Sequence, residues 1–147
     1  MKLIKKQSDS VKEPIITIEY IKWTEELDNI SNMIEGRRAS VAGYGKDGEL
    51  YQIRTGAILY FEAVGDLVFA YTKDSVYEIK QRLYQIEEEL KGSDVIRASK
   101  SVLLNIRKIQ KLKPALNGRL YATLTNGEQV MITRSYSKEI KGVIMAS

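Results

Sequence analysis

The stretch Ile96 to Ile109, IRASKSVLLNIRKI, places cations at Arg97, Lys100, Arg107 and Lys108 and hydroxyls at Ser99 and Ser101 among six aliphatic residues, with no acid. A buried strand would not carry that many cations, and a solvated loop would not carry that many aliphatics. The mixture predicts an irregular surface ridge pinned by Val102, Leu103, Leu104 and Ile106, which turns Arg97, Ser99, Lys100, Arg107 and Lys108 toward a polyanion. Guanidinium, ammonium and hydroxyl groups grip phosphates and donate to base edges. Ser101 has a second reading, a hydrogen bond to the ridge backbone that fixes its shape. Asn105 reads as structural, tying down a turn.

Other chemistries find little support. The chain has no cysteine and no histidine, which removes disulfides, thiolate zinc sites and the commonest general base. Glu62, Asp66 and Asp74 could be drawn as catalytic carboxylates, but no nucleophile or ligand set accompanies them. Gly43-Tyr44-Gly45-Lys46-Asp47-Gly48 has the GxGxxG spacing of dinucleotide sites, yet it falls between two expected strands and opens no helix. An enzyme is not expected, nor a metal, a cofactor or a small-molecule substrate.

Across 147 residues the net charge of +4 looks mild until it is divided along the chain. Residues 92–147 hold 10 Lys/Arg against 3 Asp/Glu, whereas residues 1–50 hold 8 against 9. Such asymmetry suits a partner of opposite sign, nucleic acid foremost, or else marks a basic half that is merely well solvated. Hydrophobic residues make up 44%, enough for the core of one domain, with or without a small appendage. The N-terminus, MKLIKKQSDSVKEP, lacks the apolar region of a secretory signal. No apolar run approaches the roughly 20 residues of a membrane helix. A soluble cytoplasmic protein is expected.

The elements that must position these groups follow from periodicity. Residues 1–13 read as a polar arm, whose Lys2, Lys5 and Lys6 could reach phosphates. From Ile15, IITIEYIKW reads as a strand, and Thr24 as the cap of a helix carrying Leu27, Ile30, Met33 and Ile34 and ended by Gly36. Residues 1–38 are thus an arm and a small strand–helix leader, and residues 39–147 the main domain. There Ala39–Tyr44, Glu49–Arg54, Ile58–Val64, Leu67–Thr72 and Ser75–Ile79 read as five closely spaced strands, hence antiparallel sheet. Ile79, Leu83, Ile86 and Leu90 predict a helix closed by Gly92, with Glu87, Glu88 and Glu89 a solvated charge run. Arg119–Leu124 and Gln129–Thr133 pair through Asn126-Gly127, and Arg134–Ile144 closes the chain with a short helix.

Four segments, in this order and spacing, make residues 39 to 144 resemble the LytTR DNA-binding domain of bacterial transcription regulators. They are ILYFEAVGDLVFAYTKDSVYEIK (58–80), LYQIEEEL (83–90), IRASKSVLLNIRKIQKL (96–112) and VMITRSYSKEI (130–140). The resemblance implies a mainly β fold of small stacked antiparallel sheets with one or two short helices. It also implies a module that enters the major groove of double-stranded DNA with loops. Matched by position, Lys100 falls where the family places a base-contacting polar residue, and Arg134 where it places a groove-reading arginine. Each can donate to guanine O6 and N7, or touch phosphate only. Arg97, Ser99, Ser101, Tyr136 and Lys138 are then phosphate-positioning candidates. A third family contact lies in the loop that here is Gly65-Asp66, where a carboxylate would repel phosphate.

The family's usual receiver domain has no counterpart in residues 1–38, so the chain resembles the stand-alone LytTR regulators. These imply a homodimer and a small membrane protein as restraining partner. The alternative is an interaction module whose leader binds such an inhibitor or a dimer partner, with only non-specific DNA affinity. An RNA-binding β module is a weaker alternative, because aromatics are sparse on the basic ridge.

Overall fold

The computed structural model describes residues 1–34 and 40–146. Residues 1–24 form neither helix nor strand, so IITIEYIKW is not the strand expected of it. Propensity alone does not make a strand; it needs a hydrogen-bonded neighbour. Here Ile15, Ile16, Tyr20 and Ile21 are each more than half exposed. Helix α1 (Glu25–Ile34) follows as expected. The Thr24 hydroxyl accepts from the Leu27 amide at 3.3 Å, and its carbonyl accepts from the Asp28 amide at 2.9 Å. Glu25, Glu26 and Asp28 in the first turn favour the helix dipole. Gly36, Arg37, Arg38 and the boundary at 38/39 lie outside the described residues.

The main domain begins with the hairpin β1 (Ser40–Tyr44) and β2 (Leu50–Arg54). It continues with β3 (Ile58–Val64), β4 (Leu67–Thr72), β5 (Val76–Ile79) and helix α2 (Leu83–Glu89). Then come β6 (Val95–Ser99), β7 (Val102–Asn105), β8 (Ile109–Pro114), β9 (Leu120–Leu124), β10 (Gln129–Ile132) and helix α3 (Arg134–Ala146). The strands make two antiparallel sheets, ordered β2-β1-β5-β4-β3-β7-β6 and β10-β9-β8. The small sheets implied by resemblance are here partly fused: β1 joins β5 through the single pair Tyr44–Glu78. Beneath that hairpin, Gly43 lies tight against two core side chains. A Cβ there would lie 2.8 Å from the Cδ1 atoms of both Ile53 and Ile79.

Two expectations need correction. Helix α2 starts at Leu83, because Ile79 ends β5 with its side chain buried. The Arg82 amide donates to Gln85 Oε1 at 2.8 Å and closes the first helical turn. The ridge, for its part, is regular: β6 and β7 form a hairpin around Lys100-Ser101, with a bulge between Arg97 and Ser99. All four residues of β7 are buried, so no alternation betrayed it in the sequence.

Strands β3 and β7 form a wall shared by two cores. Ile58, Phe61 and Leu103 face one core, with Leu83, Ile86 and Leu90 of α2. Leu59, Val102 and Leu104 face the other, with Leu120, Leu124, Ile132 and Ile140. Each such fully buried side chain contributes roughly 1.5–3 kcal/mol relative to exposure.

Candidate nucleic-acid interface

The turn that carries Lys100 is held from three sides. The Ser99 hydroxyl accepts from the Ser101 amide at 3.3 Å, so Ser99 fills the backbone-shaping role that was one of the two readings of Ser101. The Ser101 carbonyl accepts from the Ala63 amide at 2.8 Å, which seats the turn beside the β3–β4 turn at Gly65-Asp66. The third side is Arg97. Its Nε and Nη2 donate to Glu87 at 3.2 and 2.8 Å, and its Nη1 donates to the Lys100 carbonyl at 2.9 Å. Arg97 was expected to face a polyanion, but its side chain is only 14% exposed and faces α2. Glu87, expected to be simply solvated, is its partner. Lys100 and Ser101 are exposed.

A second set of bonds brings the start of α3 to the same place. The Thr133 amide donates to the Ala98 carbonyl at 3.0 Å, which sets Arg134, the first residue of α3, close to the Lys100 turn. Arg134 and Lys138 are exposed, whereas Tyr136 packs its ring against the second core. The Ser137 hydroxyl donates to the carbonyls of Gly118 at 2.8 Å and Arg134 at 3.1 Å, tying the β8–β9 loop to the helix. Among the described residues neither Lys100 nor Arg134 forms an ion pair.

Arg107 also departs from expectation. Its Nε meets Asp94 Oδ2 at 2.6 Å and its Nη1 meets Asp28 Oδ1 at 2.9 Å, so it fastens the leader to the domain. Trp23 Nε1 donates to the same Asp28 oxygen at 3.2 Å. Asn105 is structural, as read: its Nδ2 donates to the Ile58 carbonyl at 2.9 Å and its Oδ1 accepts from the Arg107 amide at 3.1 Å. Sequence reasoning missed Glu87, Asp94 and Ser137; only the Asn117-Gly118 turn pair could have drawn attention to the loop that Ser137 holds.

On the β1–β2 hairpin, Tyr51 Oη donates to Asp47 Oδ2 at 2.5 Å. This bond is the main cause holding the Tyr51 phenol up at about 12 and the Asp47 carboxyl below its ordinary value. Among the described residues no three His, Cys, Asp or Glu side chains converge as a metal site, and no helix is long and apolar enough to cross a membrane.

Comparison with known proteins agrees with this architecture. Residues 48–145 match the family model for the LytTr DNA-binding domain. A solved LytTr DNA-binding domain from Bacillus cereus superposes with a TM-score of 0.67 at 20% identity, covering 73% of this chain and 97% of that one. The sensory transduction protein LytT of Enterococcus faecalis is 38% identical over 71 residues, which are 48% of this chain and 29% of that protein. The chain thus spans less than a third of that relative. An uncharacterised regulator of Staphylococcus aureus, described as an HTH-type transcriptional regulator, is 29% identical over 131 residues and 88% of each chain. That likeness reaches past the family domain into the leader. No two α-helices follow one another directly among the described residues here. The chain belongs to the LytTr DNA-binding domain family.

Proposed function

We propose that this chain is a sequence-specific transcriptional regulator that binds double-stranded DNA, reading the major groove with the Lys100 turn and the Arg134 segment. The observation that carries the reading is the Thr133–Ala98 hydrogen bond, which brings together the backbones that carry two exposed cations with no ion pair among the described residues. Arg134 presents a fork suited to guanine O6 and N7, and Lys100 a point donor beside it. Ser101 and Lys138 are phosphate contacts around them. Arg97, Ser99 and Tyr136 act at one remove, by shaping the turn and seating the helix. The protein works in the cytoplasm as a homodimer on two half-sites.

A second reading is favoured by the leader. Its exposed Ile15, Ile16, Tyr20 and Ile21 make an apolar surface that a second copy or a membrane-protein inhibitor would cover.

The test is fluorescence anisotropy against a duplex selected by the protein from a random library, beside a scrambled duplex, across salt. Arg134→Ala should relax preference at one base pair by roughly 1–3 kcal/mol. Lys138→Ala should weaken all sequences alike and reduce the salt slope by about 0.9. An Arg134→Ala protein that keeps its full sequence preference would remove the readout role.

A further inference from the structure

The loop between β8 and β9, residues 115–119, is largely exposed and tied to α3 through Ser137. The Ala115 amide donates to the Arg119 carbonyl at 2.9 Å, and the Arg119 amide to the Leu116 carbonyl at 3.4 Å. Asn117 (φ 61°) and Gly118 (φ 75°) are consecutive left-handed residues, and Asn117 is the only non-glycine residue with positive φ among those described. The Ser137 hydroxyl holds the Gly118 carbonyl. A Cβ on Gly118 would lie 3.0 Å from Arg134 Cγ and 3.3 Å from Cδ, so the arginine stem runs along this glycine. The loop therefore helps to aim the guanidinium, and its own tip stands beside it.

That tip carries Leu116, 83% exposed, next to an exposed Asn117. An asparagine can be there for its tolerance of the left-handed backbone alone, and a lone exposed leucine is ordinary. Two such residues on a braced loop, at the side of a base-reading arginine, have a chemistry in common. In the major groove an A·T pair offers adenine N6 and N7 to an amide and the thymine methyl to an apolar side chain. Resting on the proposed function, we infer that Leu116 and Asn117 read one A·T pair adjacent to the pair read by Arg134. The Asn117 amide accepts from N6 and donates to N7, while Leu116 packs on the thymine methyl.

The experiment uses the full chain and a randomised duplex library, followed by anisotropy on single-pair variants of the selected duplex. Asn117→Gly keeps the left-handed backbone and removes the amide; circular dichroism and thermal melts confirm that it folds. It should lose roughly 5- to 150-fold discrimination at one A·T pair, beside the pair whose preference Arg134→Ala abolishes. Replacing that thymine with uracil should cost the wild type about fourfold, by loss of one methyl, and should cost Leu116→Ala nothing. An Asn117→Gly protein that selects the same motif overturns the inference, and so does uniform weakening on all duplexes. Equal wild-type affinity for thymine and uracil removes the Leu116 contact. A library from which the wild type selects no motif overturns the regulator reading together with this one.

Discussion

Replacing Arg97 with alanine separates two accounts of a cation in the heart of the basic stretch. As a phosphate ligand, it would contribute to DNA affinity through charge. As the geometry has it, the guanidinium is committed to Glu87 and to the Lys100 carbonyl, and acts by holding the turn. The Arg97 side chain is 14% exposed and Glu87 41%, so the ion pair lies between a surface pair worth ~0.2–1 kcal/mol and a charge-assisted bond worth ~1.5–3 kcal/mol. A coupling of about 1 kcal/mol is expected for the pair. The carbonyl bond and the packed stem bring the cost of Arg97→Ala to about 2–3 kcal/mol. Urea denaturation of wild type, Arg97→Ala, Glu87→Gln and the double variant gives the coupling as a thermodynamic cycle. Anisotropy across salt gives the DNA side. Arg97→Ala should weaken binding with its salt slope unchanged, and Glu87→Gln should weaken it too, even though it removes a negative charge. A slope that falls by about 0.9 in Arg97→Ala, with coupling near zero, would refute the clamp and restore Arg97 as a phosphate contact.

Three further outcomes follow from the same geometry. Asn105→Ala strands the Ile58 carbonyl and the Arg107 amide and should cost about 2–4 kcal/mol in urea denaturation, with DNA affinity per folded molecule lowered as well; a loss below about 1 kcal/mol would contradict it. Asp28→Ala removes a bridge between partly exposed groups, worth at most ~1 kcal/mol, yet should speed proteolysis within residues 15–34 while leaving the domain intact. Equal cleavage of both proteins would mean that Arg107 does not hold the leader in solution. Tyr51, raised in the folded state to about 12, contributes stability that is fully present below the ordinary tyrosine value of 10 and is lost as pH rises from there through about 12. The ultraviolet titration of wild type minus Tyr51→Phe should show that late ionisation, and Asp47→Asn should bring it earlier; no change in Asp47→Asn would remove Asp47 as the cause.

How much was legible from the sequence differs sharply between elements. Strands β3 and β4 have the bounds expected of them, because two β-rich runs flank a Gly65-Asp66 turn whose glycine takes φ 60°. Strands β6 and β7 were hidden, since their turn, Lys100-Ser101, contains neither glycine nor asparagine and β7 has no polar face. Strand propensity misled at residues 15–23, where no neighbour pairs among the described residues, and Ile79 fitted the period of a helix while belonging to a strand. Lys100 and Arg134 are singled out by the positions they hold in the family resemblance. Their convergence could not be read in the same way, because it depends on a backbone bond between distant segments, and backbone bonds leave no mark on side-chain patterns. The acids that claim Arg97 and Arg107 were equally invisible: Glu87, Asp94 and Asp28 lie on other elements, at no periodic spacing from their cations.

The shared wall of β3 and β7 raises a question of register. Most strands are kept in step by having one apolar and one polar face, since a slip of one residue would turn the polar face into the core. Strand β7 has no such protection, because Val102, Leu103 and Leu104 all point into one core or the other, and a slip would only exchange one aliphatic side chain for another. What indexes the strand is Asn105, whose amide finds the Ile58 carbonyl across the β3–β7 pairing in one alignment. Since the Lys100 turn is the other end of the same strand, that alignment also sets how far the turn projects. A buried amide with no access to DNA thereby acts as a ruler for the position of a cation at the surface.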